Sequence, residues 1–148
     1  MTDPKHWLYH RTPRQWLTLG RQELERGRAA FSQRDRKGAL TCCRRAAGMA
    51  LNGVLATQSV PDLAYGQTYM DHVLALQSDL GVPERVRSAA QLLVQTPLPG
   101  ASIVVLRTIG SDERIVEATR DVLAHCYAMV IKSEPDPDDS DEALQPSE

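Results

Sequence analysis

Aromatic residues are scarce: they make up 5% of the 148-residue chain, and Phe31 is its single Phe. A core poor in rings is filled by Leu, Ala, Val and Met, which suits helices packed on helices better than a sandwich of sheets. Cysteine is scarcer still, with Cys42, Cys43 and Cys126 alone. Vicinal Cys42 and Cys43 on a helix point about 100° apart and do not bridge each other. An odd count without a spaced framework points to reduced thiols in a reducing compartment. No CxxC or Cys/His cluster has ligand spacing, so no metal site is expected. The sequence also has no phosphate-binding glycine loop and no Ser/His/Asp triad, and no cofactor is implied. Met1–His10 has no apolar signal region and no apolar run reaches spanning length, so the expected location is the cytoplasm.

Hydrophobic residues at 42% and charged residues at 24% are those of one ordinary globular domain. The formal net charge of -2 hides an asymmetry. Of 19 Asp and Glu, seven lie from Glu134 onward with no Lys or Arg among them. The remaining 12 face 17 Lys and Arg, so residues 1–133 carry a net charge of about +5. A mildly basic body permits phosphate binding without demanding it.

Punctuation and periodicity divide the chain into a lead-in over 1–11, a helical bundle over 12–133 and an acidic tail over 134–148. The lead-in is expected to be extended, docking Trp7 and Tyr9 on the body. Thr12 and Pro13 start a first helix with an inward stripe of Trp16, Leu17, Leu19, Leu24, Ala30 and Phe31. Arg21, Gln22, Glu25, Arg26 and Arg28 form its solvated face. A second helix from Asp35 to about Gln58 carries Ala39, Leu40, Cys43, Ala46, Ala47, Ala50, Leu51, Val54 and Leu55 at steps of three and four. Its small residues admit a close neighbour, and it should be central. A third helix over Thr68–Leu80 turns Tyr69, His72, Val73, Leu76 and Leu80 to one side. A fourth runs from Pro83 to Gln95. Ile103–Leu106 has strand propensity but no partner strand, and is expected to be a buried irregular segment. Gly110–Ser111 caps a last helix over Asp112–Lys132, its inner stripe Ile115, Ala118, Val122, Leu123, Cys126, Met129 and Val130. The tail has too little apolar surface to offset ordering and is expected to be disordered. Keeping the protein soluble is the role assigned to it, with screening of the basic body as the alternative. The fold class is all-α, an up-and-down bundle of five helices.

The second helix reads Cys43-Arg44-Arg45-Ala46-Ala47-Gly48-Met49-Ala50-Leu51-Asn52-Gly53-Val54-Leu55. It resembles the second helix of HEPN domains, which follows a pattern like C-x-Q-A-A-E-x-A-L-K-A-L-L. His72-Val73-Leu74-Ala75-Leu76 looks like the family's H-x-L-x-x-L segment. The resemblance implies a HEPN-like bundle over residues 12–132 and a homodimer. Gly48 stands where the family has Glu, and Asn52 where it has Lys. The loop before the last helix lacks the family's Arg-Tyr-Pro, and Arg107 is its nearest basic residue.

Arg120-Asp121-Val122-Leu123-Ala124-His125-Cys126-Tyr127 resembles the Arg, short spacer, His and x-Tyr of toxin-type HEPN ribonucleases. By that resemblance Arg120 would hold a scissile phosphate, His125 would take a 2′-hydroxyl proton and Tyr127 would complete the motif. Five helical residues separate Arg120 from His125 by about 140°, however, so they do not stack. The plainer expectation is a surface Arg, a half-buried His and a rim Tyr. Arg44 and Arg45, with Arg34, Arg36 and Lys37 nearby, offer phosphate ligands or simply a solvated face. His72, beside Asp71 and Tyr69, suggests acid–base work or, more plainly, a helix-start His satisfied by a loop carbonyl. Cys42 has arginine neighbours in sequence that would lower its pKa, but with no base in view it reads as an ordinary thiol.

Three functions follow from these residues. The first is a non-catalytic HEPN-like adaptor, dimeric, binding a nucleotide, RNA or a protein. The second is a metal-independent ribonuclease toxin using Arg120 and His125, neutralised by a nucleotidyltransferase partner acting on Tyr127. The third is a helical scaffold of the tetratricopeptide kind, which ranks last because no 34-residue repeat appears.

Overall fold

The computed structural model describes residues 7–58, 62–96 and 109–135. Among them are five α-helices: α1 (Pro13–Ser32), α2 (Arg36–Leu55), α3 (Tyr69–Ser78), α4 (Glu84–Gln95) and α5 (Ile109–Ser133). No strand occurs among the described residues. The all-α expectation holds, and Ile103–Leu106 lies outside the described residues.

The helix starts are written in short-range chemistry. Thr12 accepts from the Gln15 amide while the Gln15 side chain accepts from the Thr12 amide, and Pro13 fills the first helical position. Asp35 caps α2 by accepting from the Gly38 amide. Thr68 and Asp71 repeat the reciprocal box at α3. The last helix departs from expectation. It begins at Ile109, so Gly110–Ser111 lies within its first turn instead of capping it.

Helix α2 is the centre, packed against α1, α3 and α5, with α4 closing the space between α3 and α5. Its buried face is Ala39, Leu40, Cys43, Ala46, Ala47, Ala50, Leu51 and Leu55. Small residues let α1 approach closely. A Cβ on Gly20 would sit 3.0 Å from the Ala46 carbonyl, and one on Gly27 3.2 Å from Cys43 Sγ. Gly20 and Gly27 therefore cost helix propensity but shape the α1–α2 contact. Gly20 against Ala46 and Gly27 against Ala39 place these two helices antiparallel. Helix α5 runs parallel to α2, since Arg36 meets Asp112 near both starts. Helix α3 also sets off in the direction of α2, with Gly48 against Tyr69 and Asn52 against His72. Strict up-and-down alternation breaks there. The 13-residue connection after Leu55 can span about 40 Å when extended, ample for the return of about 10 Å from Leu55 to the level of Gly48.

Several placements differ from the sequence reading. The lead-in is a 3-10 turn over Trp7–His10 that buries Leu8, while Trp7 stays exposed with its ring edge-on to Trp16. Trp16 Nε1 donates to the Leu8 carbonyl and the Tyr9 hydroxyl to that of Gln58. Leu80 is 85% exposed because α3 ends at Ser78, and Met129 lies on the outer face of α5. Glu23 and Asn52, both polar, are buried. Of the acidic tail, Glu134 and Pro135 are described, and residues 136–148 lie outside the described residues. No helix among the described residues is long and apolar enough to cross a membrane.

Candidate functional site

Seven residues make two turns of an α-helix, so side chains seven apart share a face. On α1 this puts Arg14, Arg21 and Arg28 in one row, and on α5 it aligns Glu113, Arg120 and Tyr127. The two rows run antiparallel and border a common groove. Its floor is Leu17, Leu24 and Leu123, all buried. The end near the start of α1 is a recess of about 460 Å³ lined by Arg14, Leu17, Thr18, Arg21, Ala124 and Tyr127. It continues into one of about 540 Å³ where Arg21 faces Arg120 across Leu24 and Leu123.

Charge is uneven along this groove. Arg14 donates to both carboxylate oxygens of Glu134 at 2.7 Å, a pair that raises the guanidinium above and lowers the carboxyl below their ordinary values. Glu25 at the rim pairs with Arg28. Arg21 and Arg120 are exposed and have no carboxylate partner among the described residues. Beyond Arg120 the groove reaches Arg28, Asp112, Glu113 and Glu117, and with Arg28 paired to Glu25 and Asp112 to Arg36 the charge left over there is acidic. Basic character is thus confined to the Arg14–Arg21–Arg120 end, beside the half-exposed ring of Tyr127.

The motif of α5 is split by its own helix. Arg120 and Tyr127 border the groove, whereas His125 is half-buried on the side of Asp79. Burial lowers its pKa against the opposing pull of the Asp79 carboxylate. Asp79 in turn accepts from the Tyr65 hydroxyl at 2.6 Å, which holds its own pKa down. Within one chain Arg120 and His125 do not converge.

The other sequence candidates find protein partners in three different elements. Arg44 donates from Nε to the Leu93 carbonyl at 2.8 Å and from its terminal nitrogen to that of Thr96 at 2.7 Å, closing the end of α4. Arg45 lies 3.3 Å from Glu23, which also meets Arg26 at 3.4 Å. His72 is fully buried, with Nδ1 2.6 Å from the Tyr65 carbonyl and Nε2 2.7 Å from Asn52 Oδ1. Burial lowers its pKa. Cys42 is no activated thiol: desolvation and Glu23 raise its pKa, outweighing Arg45 and Arg26. Cys43 is pushed up to about 11 by burial, so neither thiol is an activated nucleophile. Among the described residues no cluster of His, Cys, Asp and Glu is arranged to hold a metal.

Replacing Arg44 with Met keeps the stem but leaves the last carbonyls of α4 without donors. The expected cost is about 1–2 kcal/mol, with faster amide exchange at Leu93–Thr96 and little change in α1. Unchanged exchange there would show that the guanidinium does not hold that helix end.

Sequence reasoning passed over Arg14 and the groove, although the seven-residue spacing of Arg14, Arg21 and Arg28 was visible. Nothing in the sequence of α1 alone says that α5 lies beside that row. The chain matches no family model, no curated protein and no solved structure.

Proposed function

We propose that this chain is a HEPN-like, non-catalytic binding module that takes a phosphate-bearing base, as a free nucleotide or within single-stranded RNA, at the basic end of the α1–α5 groove. The observation that carries this is that Arg21 lines both adjoining recesses, with Arg120 in one and Tyr127 in the other, over an apolar floor. Guanidinium groups suit phosphate oxygens in charge and geometry. An exposed phenol offers a face for a base without demanding one base identity. The binding reading is preferred to hydrolysis because Arg120 reaches the groove and His125 does not. The homodimer and a protein partner stay outside this proposal.

The test is binding of a fluorescein-labelled uridine hexaribonucleotide by anisotropy, with AMP measured separately by calorimetry to distinguish strand from nucleotide. Arg21→Glu with Arg120→Glu should lose at least about tenfold in affinity, and Tyr127→Ala about fivefold or more, since a stacked base is worth about 1–3 kcal/mol. Two phosphate contacts predict a fall of about sevenfold between 50 and 200 mM salt for a single strand. Binding that ignores all three substitutions sinks the proposal. Cleavage of the oligonucleotide that disappears in His125→Ala would replace binding with hydrolysis.

A further inference from the structure

The α5 helix delivers the chain to the groove's basic end. Glu134, one residue past α5, is already clamped by Arg14 at the groove mouth, and Pro135 is the last described residue. From there residues 136–148 bring six acids, Asp136, Asp138, Asp139, Asp141, Glu142 and Glu148, and no Lys or Arg. Two helical turns, about 10 Å, separate Arg14 from Arg21. An extended chain covers that in three to four residues at about 3.3 Å each. Asp138 and Asp139 can therefore stand level with Arg21 and Arg120, the two groove arginines without carboxylate partners among the described residues. Further along, Arg28 is already paired with Glu25, and Glu113 and Glu117 repel an acidic strand, so the attraction ends at Arg21 and Arg120.

We infer that residues 136–142 of this chain dock on the basic end of the α1–α5 groove, set Asp138 and Asp139 against Arg21 and Arg120, and compete there with the phosphate-bearing ligand. The docking stands on the groove and the charges; the competition rests on the function proposed above. Tethering keeps the competitor at an effective concentration in the millimolar range, enough to rival a ligand held by two arginines and one ring. Salt weakens both partners of the contest, because both are ionic.

The experiment uses the full chain with the tail neutralised: Asp136→Asn, Asp138→Asn, Asp139→Asn, Asp141→Asn and Glu142→Gln. NMR follows the Nε–Hε signals of Arg21 and Arg120, with Arg26, which faces Glu23 of its own helix, as the control. Docking predicts that Arg21 and Arg120 shift on neutralisation while Arg26 stays, and that 0.5 M NaCl reproduces the shift in wild type. The uridine hexaribonucleotide should then bind the neutralised chain about fivefold to tenfold more tightly at low salt. Unmoved Arg21 and Arg120 signals overturn the docking, as does an equal shift of all three arginines, which would report net charge alone. Shifts confined to Arg21 and Arg120 without binding of the oligonucleotide or AMP by either protein keep the docking and overturn the nucleotide reading with its competition.

Discussion

Gly48→Glu in α2 is expected to cost about 4 kcal/mol or more and lower the melting temperature by roughly 10–15 °C. A Cβ at Gly48 would lie 2.7 Å from the Cα of Tyr69, a contact with backbone that no rotamer change relieves. Helix α3 would have to move. Gly48→Ala separates the contributions. A helix interior gains about 1 kcal/mol from Ala over Gly, against about 1–3 kcal/mol for overpacking, for a net loss of about 0–2 kcal/mol. Glu adds a carboxylate in a buried place without a cation to meet it. Thermal melts of the wild type and both variants check the order. Tyr69→Ala in the Glu background should restore little, because the obstructing atoms include the Tyr69 backbone. A Gly48→Glu melt within about 2 °C of wild type would show that α2 and α3 are not packed in this way.

That seam also explains which parts of the molecule could be read from the sequence. Periodic apolar positions on α2 and α5 were legible because burial follows helical spacing, and Thr12-Pro13, Asp35 and Thr68 marked the starts of α1, α2 and α3 through local hydrogen bonds. Gly48 and Asn52 were visible only as departures from a family pattern. Their meaning needed α3: Gly48 makes room for Tyr69, and Asn52 meets His72. The two positions that differ from the HEPN pattern thus form one helix–helix contact in this chain. Glu23 was hidden for a similar reason. Its position seven after Trp16 puts it on the buried face of α1, where a carboxylate is expected only with cations to meet it, and those are Arg45 from α2 and Arg26 from the next turn. The groove stayed illegible because its two rows lie about a hundred residues apart, and pairing of helices is a tertiary fact.

His72→Ala is expected to cost about 3 kcal/mol, or roughly 10 °C in melting temperature, for two separable reasons. Removing the ring leaves a cavity beneath α3, and it strips partners from the Tyr65 carbonyl and the Asn52 side chain. Because the second loss runs through Asn52, adding Asn52→Ala should cost less than it does alone, a coupling of about 1 kcal/mol in the double-mutant cycle. The protonation state follows from burial. A neutral ring donates from Nδ1 to the Tyr65 carbonyl, which only accepts, and so needs a donor at Nε2. Asn52 supplies one when its amide is turned to put Nδ2 on the ring, which also employs the nitrogen otherwise buried without a partner. Burial lowers the pKa of His72 below its ordinary 6.5, so on acidification the unfolded chain takes up a proton first. Stability from this group is complete above pH 6.5 and is lost as pH falls below it toward the folded value. His125, also lowered by burial, acts in the same direction. Urea midpoints at pH 7.5 and 5.5 should therefore fall steeply in wild type and less steeply in His72→Ala, the remainder belonging to His125. Equal slopes in the two proteins would place the acid sensitivity elsewhere. A flat wild-type profile would mean that Tyr65 and Asn52 hold the imidazolium as well as the neutral ring, two oxygens facing two N–H groups.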